Sequence, residues 1–282
     1  MPNDLDQRVQ VLEGRFDQLI QQLGDEISPF PPAGVDGFLS HFIMTIEFLQ
    51  GDLSGKSVSV QFPPSIQTVV RSEPFIYQGA DEGHVADLTL PANCTLPSTI
   101  SESDFIERPD EFFVVGQETV WLQILNLDSR VEIENLGSVR VILGETLKRE
   151  YPDLFVASLG VAQSLGPTGF PAKLFFNPYA IIETDLGPLR AIHGTLSYGR
   201  ITAFPPLGTP VTLNQINPLE SVSAVRARIA AGDKDALTHN INQPDLPARI
   251  VALSHPIDVS LLLSGDDVFN FVEHAIDNSA AG

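Results

Sequence analysis

The sequence predicts a mainly β fold, an antiparallel barrel or sandwich, with an amphipathic helix at its N-terminus and helices at its C-terminus. Three observations lead to this fold class. Many short segments alternate apolar and polar residues, which is typical of strands with one buried face. Gly, Pro and Asn separate these segments, and no helical crossovers lie between them, which favours antiparallel neighbours. The 282 residues, 43% of them hydrophobic, suffice for a substantial core.

Residues 1–28 are predicted to form the N-terminal helix. Apolar residues recur there at alternating spacings of four and three, a heptad pattern that Asn3 or Asp4 begins and Gly24 ends. Two roles remain open: the helix joins subunits of a homo-oligomer through residues 4–24, or it packs on its own β domain. The heptad residues are Leu5, Val9, Leu12, Phe16, Leu19 and Leu23.

Residues 35–215 are predicted to form the antiparallel β domain, beginning with one long strand. Phe-Pro-Pro occurs three times in the sequence and is interpreted as a rigid, extended exit from an element. The core face of the long strand is predicted to contain Phe38, Phe42, Met44, Ile46 and Phe48. Further strands are predicted over Ser57–Phe62, Ile66–Val70, Val85–Leu90, Thr119–Leu127, Arg130–Asn135, Val139–Leu147, Phe155–Leu159, Lys173–Thr184, Leu189–Phe204 and Pro210–Leu213.

Residues 216–282 are predicted to form a helical segment packed on the β domain. Asn217 as cap, Pro218 at the first helical position and Glu220 three residues after the cap indicate a helix over Leu219–Ala231. A last helix is predicted over Gly265–Asp277.

Composition excludes several classes of function. The formal net charge of −20 repels phosphate backbones and anionic lipids, so neither nucleic acid nor membrane is expected as a partner. The acidic first 25 residues do not resemble a secretory signal, and a cytoplasmic location is expected. Cys94 is the only cysteine and the six histidines are scattered, so no metal site is predicted. Nucleotide-binding glycine motifs are absent, and no cofactor is predicted.

One hairpin brings together side chains that suit acid–base chemistry. If Asp185 pairs with Leu189 across a three-residue turn, Glu183 and His193 become diagonal neighbours on one face, and Tyr179 joins them. A carboxylate at this distance is able to orient an imidazole, so Tyr179, Glu183 and His193 are the candidate catalytic residues. The alternative is that this polar set faces solvent, as one face of an antiparallel sheet commonly does.

Two functions follow from these patterns, and whether the protein is an enzyme is left open. The first is a soluble β-barrel that binds an apolar small molecule, with activity as a cofactor-independent isomerase, cyclase or lyase as an option. The second is a self-associating structural or interaction protein held together by its N-terminal heptads.

Overall fold

Sixteen strands of the chain form one antiparallel sheet, which confirms the mainly β, antiparallel class. The structure, a computed structural model, describes residues 28–79, 100, 104–105, 112–134, 136–191, 196–206, 211–213, 217–238, 246–254 and 257–261. The predicted helix over residues 1–28, apart from Ser28, and the predicted helix over 265–277 lie outside the described residues.

Short helices interrupt the strands at two places. They are α1 (Glu145–Glu150) and α2 (Val222–Ala230), and two 3-10 turns cover Gly51–Leu53 and Pro152–Leu154. The strands are β1 (Gly34–Ser40), β2 (Ile43–Phe48), β3 (Ser57–Gln61), β4 (Ser65–Arg71), β5 (Phe75–Ile76), β6 (Glu118–Ile133), β7 (Gly137–Gly144), β8 (Ser158–Ser164), β9 (Ala172–Asn177), β10 (Ile181–Glu183), β11 (Leu189–Ala191), β12 (Leu196–Ile201), β13 (Val211–Leu213), β14 (Asn217–Ser221), β15 (Ala248–Ser254) and β16 (Ile257–Leu261).

The sheet joins hairpins of consecutive strands side by side with strands from distant parts of the chain, and it curls back on its beginning. The main path runs β13-β12-β9-β8-β6-β7-β10-β11-β14-β15-β2-β3. β2 continues in the direction of β1, and β1 pairs with both β16 and β4. β4 in turn pairs with β6, from Thr68 opposite Asn126 to Arg71 opposite Leu122. This pairing brings the first hairpin of the chain against the middle of the sheet.

The curled sheet is open at two edges. β3 and β13 end the strand path, and β4 leaves β6 at Asn126 while β6 continues to Ile133. In the described part of the chain the hydrogen-bond ladder is therefore not an uninterrupted ring, which corrects the prediction of a closed barrel. The sandwich alternative is wrong as well, because the strands belong to one sheet.

The enclosed face of the sheet carries the main core. Phe38, Phe42, Met44, Ile46 and Phe48 are all buried in it, as the alternation of the sequence predicts. The long strand that they were expected to share is divided into β1 and β2 at residues 41–42, with a shift of register against its neighbour at Leu39 and Ser40.

The outer face of the sheet is covered at two places. Trp121, Val161 and Phe175 pack under the segments that include Phe105 and Phe112. A second cluster on the outer face lies between strands β7 and β10 on one side and α1, the second 3-10 turn and α2 on the other. It contains Ile142, Leu147, Leu154, Ile181, Val222 and Val225.

Several predicted elements differ from the structure. Thr119–Leu127 and most of Arg130–Asn135 belong to one strand, β6, which runs without a break through Asp128 and Ser129. The segment predicted as helical over 216–282 holds both kinds of element where it is described: α2 lies within the predicted helix over Leu219–Ala231, whereas Asn217–Ser221 is β14, and β15 and β16 extend the sheet. Ser221, not Asn217, caps α2, because Leu219 is buried in the main core as part of the sheet.

Gly144 provides a test of the junction between β7 and α1. Its φ is +69°, and a Cβ at this position would lie 2.0 Å from the carbonyl oxygen of Leu125. Because both the backbone conformation and the space exclude a side chain, we expect Gly144→Ala to lower the free energy of unfolding by about 3 kcal/mol or more. Urea denaturation of the full chain measures this loss.

Gly199 is the matched control. It lies in β12 without a positive φ, and a Cβ there meets no atom within 4 Å. Gly199→Ala is expected to change the free energy of unfolding by less than about 0.5 kcal/mol. An equal loss in both variants would contradict the argument from close backbone approach.

Candidate functional site

The enclosed face of the sheet holds a cavity of about 80 Å³. Strands from both sides of the curl line it, including β2 with Met44, β7 with Leu143 and β11 with Ala191. Ala180, between β9 and β10, leaves room in its wall, and Asn217 contributes an amide to a lining that is otherwise apolar. An apolar wall of this kind attracts apolar molecules by removing their surface from water.

A second, smaller cavity of about 30 Å³ lies further along the same strands. Phe38 lines this second cavity, while Phe42 lines the first. In the same way β6 contributes Leu122 to the second cavity and Leu127 to the first. The two cavities are therefore neighbours along one apolar interior.

Aromatic side chains surround the smaller cavity. Phe204 lines it, and its ring lies 5.2 Å from that of Phe170, which in turn lies 4.9 Å from Phe30. Two of the three Phe-Pro-Pro segments thus meet here. Tyr198 also lines the cavity, and burial raises the pKa of its phenol, so the hydroxyl stays protonated at neutral pH.

An ion pair lies at the edge of the smaller cavity. Asp36, which lines it, accepts a hydrogen bond from Arg71. Arg71 also donates to the carbonyl oxygen of Pro32 at 3.0 Å, and its guanidinium lies 5.7 Å from the centre of the Phe204 ring. The charge of Asp36 is therefore neutralised within the protein, and the interior remains suited to neutral molecules.

The predicted register of the hairpin at residues 179–197 is wrong. Ile182 pairs with Leu189 and Ile181 with Arg190, so the connection between the strands is longer than three residues. The register differs from the predicted one by an odd number of residues, and the side chains predicted to share a face therefore lie on opposite faces. The hydroxyl of Thr184 binds the turn, donating to the carbonyl oxygen of Gly187 at 2.9 Å.

The candidate catalytic residues do not face the cavities where they are described. Pro178, Ala180 and Ile182 line the larger cavity, so the residues between and after them, Tyr179 and Glu183, lie on the outer face of the sheet. His193 lies outside the described residues. The structure therefore does not test the predicted set as a unit, and its catalytic role stays a prediction.

Glu183 belongs to an ion network on the outer face of the sheet. It accepts hydrogen bonds from the Tyr151 hydroxyl at 2.7 Å and from Arg140, its neighbour across the strands, at 3.2 Å. Arg140 also donates two hydrogen bonds to Asp128 and two to Glu150. One guanidinium therefore holds three carboxylates from different elements.

The charges of this network shift its pKa values in opposite directions. Hydrogen bonds to Asp128 outweigh burial and raise the pKa of Arg140. Burial acts to raise the pKa of Glu150, but its hydrogen bonds to Arg140 and their charge attraction outweigh burial and lower it. Burial and the bond to Glu183 raise the pKa of Tyr151 to about 12, so its hydroxyl remains a donor.

Arg190 is a second buried cation on the outer face. It is 1% exposed, donates to the carbonyl oxygens of Leu154 and Leu237, and lies 5.4 Å from the centre of the Tyr179 ring. Burial lowers its pKa to about 10. Sequence reasoning missed both arginines, although each stands alone between apolar residues of a strand, at Val139-Arg140-Val141 and Leu189-Arg190-Ala191.

The described residues contain no group of three His, Cys, Asp or Glu side chains placed to hold a metal ion. The helices within the same ranges are too short or too polar to span a membrane.

Comparisons with known proteins identify a similar fold. No protein-family model and no curated protein matches the chain. Among solved structures, DynF from the dynemicin biosynthesis pathway of Micromonospora chersina is similar over 84% of this chain and 85% of its own, with a TM-score of 0.50 and 18% sequence identity. At this identity the likeness shows the fold alone.

Removing the guanidinium tests the structural role of the Arg140 network. Arg140→Met leaves Asp128, Glu150 and Glu183 close together without their cation, and we expect the free energy of unfolding to fall by about 3 kcal/mol at pH 7. Because the pKa of Glu150 is lowered in the folded state, the contribution of the network is fully present above the ordinary value of 4.5, decreases as the pH falls below it, and is lost as the pH passes the lower pKa of the folded state. Urea denaturation at pH 7 and pH 4 measures both effects.

Arg226→Met is the control for this variant. Arg226 pairs with Asp153, and both side chains are 48% exposed, so the loss is expected to stay within about 0.5 kcal/mol. A difference between wild type and Arg140→Met that does not shrink at low pH would contradict the proposed electrostatic origin.

Proposed function

We propose that the protein binds an apolar small molecule in the interior of its curled sheet. The observation that carries the proposal is the larger cavity, whose wall is apolar except for Asn217 and is built from strands distant in sequence. The neighbouring cavity extends the apolar space along the same strands. The similar fold of DynF, a protein of a biosynthesis pathway, is consistent with a small molecule as ligand.

The cavity sets the size of the probes that test the proposal. Its volume of about 80 Å³ is roughly half of the ~150 Å³ at which an engineered apolar cavity binds benzene. A single-ring hydrocarbon is therefore a stringent probe, because it needs more space than the larger cavity alone provides. A larger natural ligand would also use the space of the second cavity.

Catalysis by the candidate residues does not follow from binding in this interior. Glu183 and Tyr179 lie on the opposite face of the sheet from the cavity and are engaged by Arg140, Tyr151 and Arg190. An isomerase, cyclase or lyase activity that uses them with His193 would need a substrate on the outer face. The binding proposal is therefore independent of that activity.

Two substitutions are expected to change binding in opposite directions. Ala180→Leu fills the larger cavity and should weaken the affinity for toluene by at least about tenfold. Leu143→Ala enlarges the same cavity and should strengthen toluene binding, although it costs about 3 kcal/mol of folding free energy. Isothermal titration calorimetry of the full chain with toluene measures the affinities, and a negative heat-capacity change marks apolar burial.

Leu147→Ala separates binding from stability. Leu147 is completely buried, but in the outer cluster, so its truncation should destabilise the protein like Leu143→Ala without changing the affinity for toluene. Equal toluene affinities in wild type, Ala180→Leu and Leu143→Ala would show that the interior is a core and not a binding site.

Self-association through residues 4–24 is a second proposal, and the heptad spacing of their apolar residues supports it. Leu12→Asp and Phe16→Asp together place charges in the heptad seam and should convert an oligomer to a monomer. Sedimentation of the full chain measures the mass. The same mass for wild type and the double variant would contradict the proposal.

A further inference from the structure

A patch of hydroxyl and amide groups interrupts the apolar interior between the two cavities. Ser40 and Gln67 lie on the enclosed faces of β1 and β4, two residues along the strands from Phe38 and Val69, which line the smaller cavity. The Gln67 amide donates a hydrogen bond to the Ser40 hydroxyl at 2.6 Å. Both side chains are buried, and on the other side of Ser40 along the chain Phe42 lines the larger cavity.

Ser129 of β6 also faces this interior. It alternates with Leu127 and Val131, which pack in or against the main core, and it pairs with Val141, which lines the larger cavity. The flanking Asp128 points to the outer face, where it binds Arg140.

The Ser129 hydroxyl has no hydrogen-bond partner among the described residues. The side chain is 4% exposed and its Oγ is buried. A buried polar atom without a partner costs free energy that an alanine at the same position would avoid. An unpaired hydroxyl that is retained beside a cavity therefore points to a ligand that supplies the missing bond.

Ser65 places a second hydroxyl at the same level. Its Oγ is buried and likewise forms no hydrogen bond within the described ranges. The ladder between β4 and β6 ends with Thr68 opposite Asn126, and continuing that register by three residues would set Ser65 opposite Ser129. Ser65 is the first residue of β4, and it lies opposite Ser40 in the ladder between β1 and β4.

We propose that the Ser129 and Ser65 hydroxyls bind the polar group of an otherwise apolar ligand. This inference rests on the proposed function and specifies the class of ligand: a neutral molecule with one hydroxyl or carbonyl oxygen. A neutral group fits because the patch consists of hydroxyls and an amide, and the nearby charges of Asp36 and Arg71 neutralise each other.

Phenol and toluene are the probes, since they differ by a hydroxyl in place of a methyl group. Ser129→Ala is expected to weaken phenol binding about threefold to tenfold, the range of one hydrogen bond, and to leave toluene binding within about twofold. Ser129→Thr keeps the hydroxyl and should retain the affinity for phenol. Isothermal titration calorimetry of the full chain measures both affinities, and Ser57→Ala, at an exposed position of β3, is the control.

The stability of the ligand-free protein gives an independent readout. Because Ser129→Ala removes an unpaired buried hydroxyl, we expect the Tm to rise by about 2–4 °C while phenol binding weakens. Loss of phenol binding through general damage would lower the Tm instead, and that result would overturn the proposal.

The outcomes separate this inference from the proposed function. If toluene and phenol bind and Ser129→Ala leaves the affinity for phenol unchanged, the hydroxyl anchor is wrong while apolar binding stands. If neither probe binds the wild type, apolar binding itself fails and the anchor fails with it. Selective loss of phenol binding in Ser129→Ala, retained in Ser129→Thr, supports both.

Discussion

The pairing of β4 with β6 is the contact on which the interior depends. An antiparallel sheet that does not curl leaves one of its faces open to water. Four residue pairs, from Thr68–Asn126 to Arg71–Leu122, bring the first hairpin back against the longest strand. This contact turns one face of the sheet inward, so that Phe38, Met44 and Leu122 pack in the same cluster. Both cavities and the polar patch exist because that face is enclosed.

Periodicity predicts this inner face well, since it depends on residues close together in sequence. The alternation from Phe38 to Phe48 identifies five core residues that the structure confirms. The hairpin at Glu183 shows that periodicity does not determine the register between two strands. Its register depends on the Thr184 hydroxyl and on the turn before Pro188, and three residues of slip reverse the predicted faces. The interior cavity has no local signature, because Leu143, Ala180 and Ile250 meet only in the folded sheet.

The elements missed at the C-terminus have a similar cause. Asn217-Pro218 and Glu220 match the local signature of a helix start, yet Leu219 is buried between β11 and β15 as part of β14. Burial of an apolar side chain in the core outweighs capping interactions, which contribute about 1 kcal/mol each. The helix begins only at Ser221, whose hydroxyl accepts a hydrogen bond from the amide of Ala224. The local sequence thus indicates that a helix begins near these residues, but not at which residue it begins.

The two faces of the sheet differ in how their buried polar groups are paired. On the outer face, buried charges are satisfied: Arg140 binds three carboxylates, and Arg228 binds Glu220 and Asp233. In these pairs the cost of burying charged groups is offset, as buried polar groups generally require. On the inner face the Ser129 hydroxyl departs from that rule beside an apolar cavity. An alanine at this position would avoid the cost of the unpaired hydroxyl, and the pairing of Ser129 with Val141 in the cavity wall is the physical reason to seek a ligand inside.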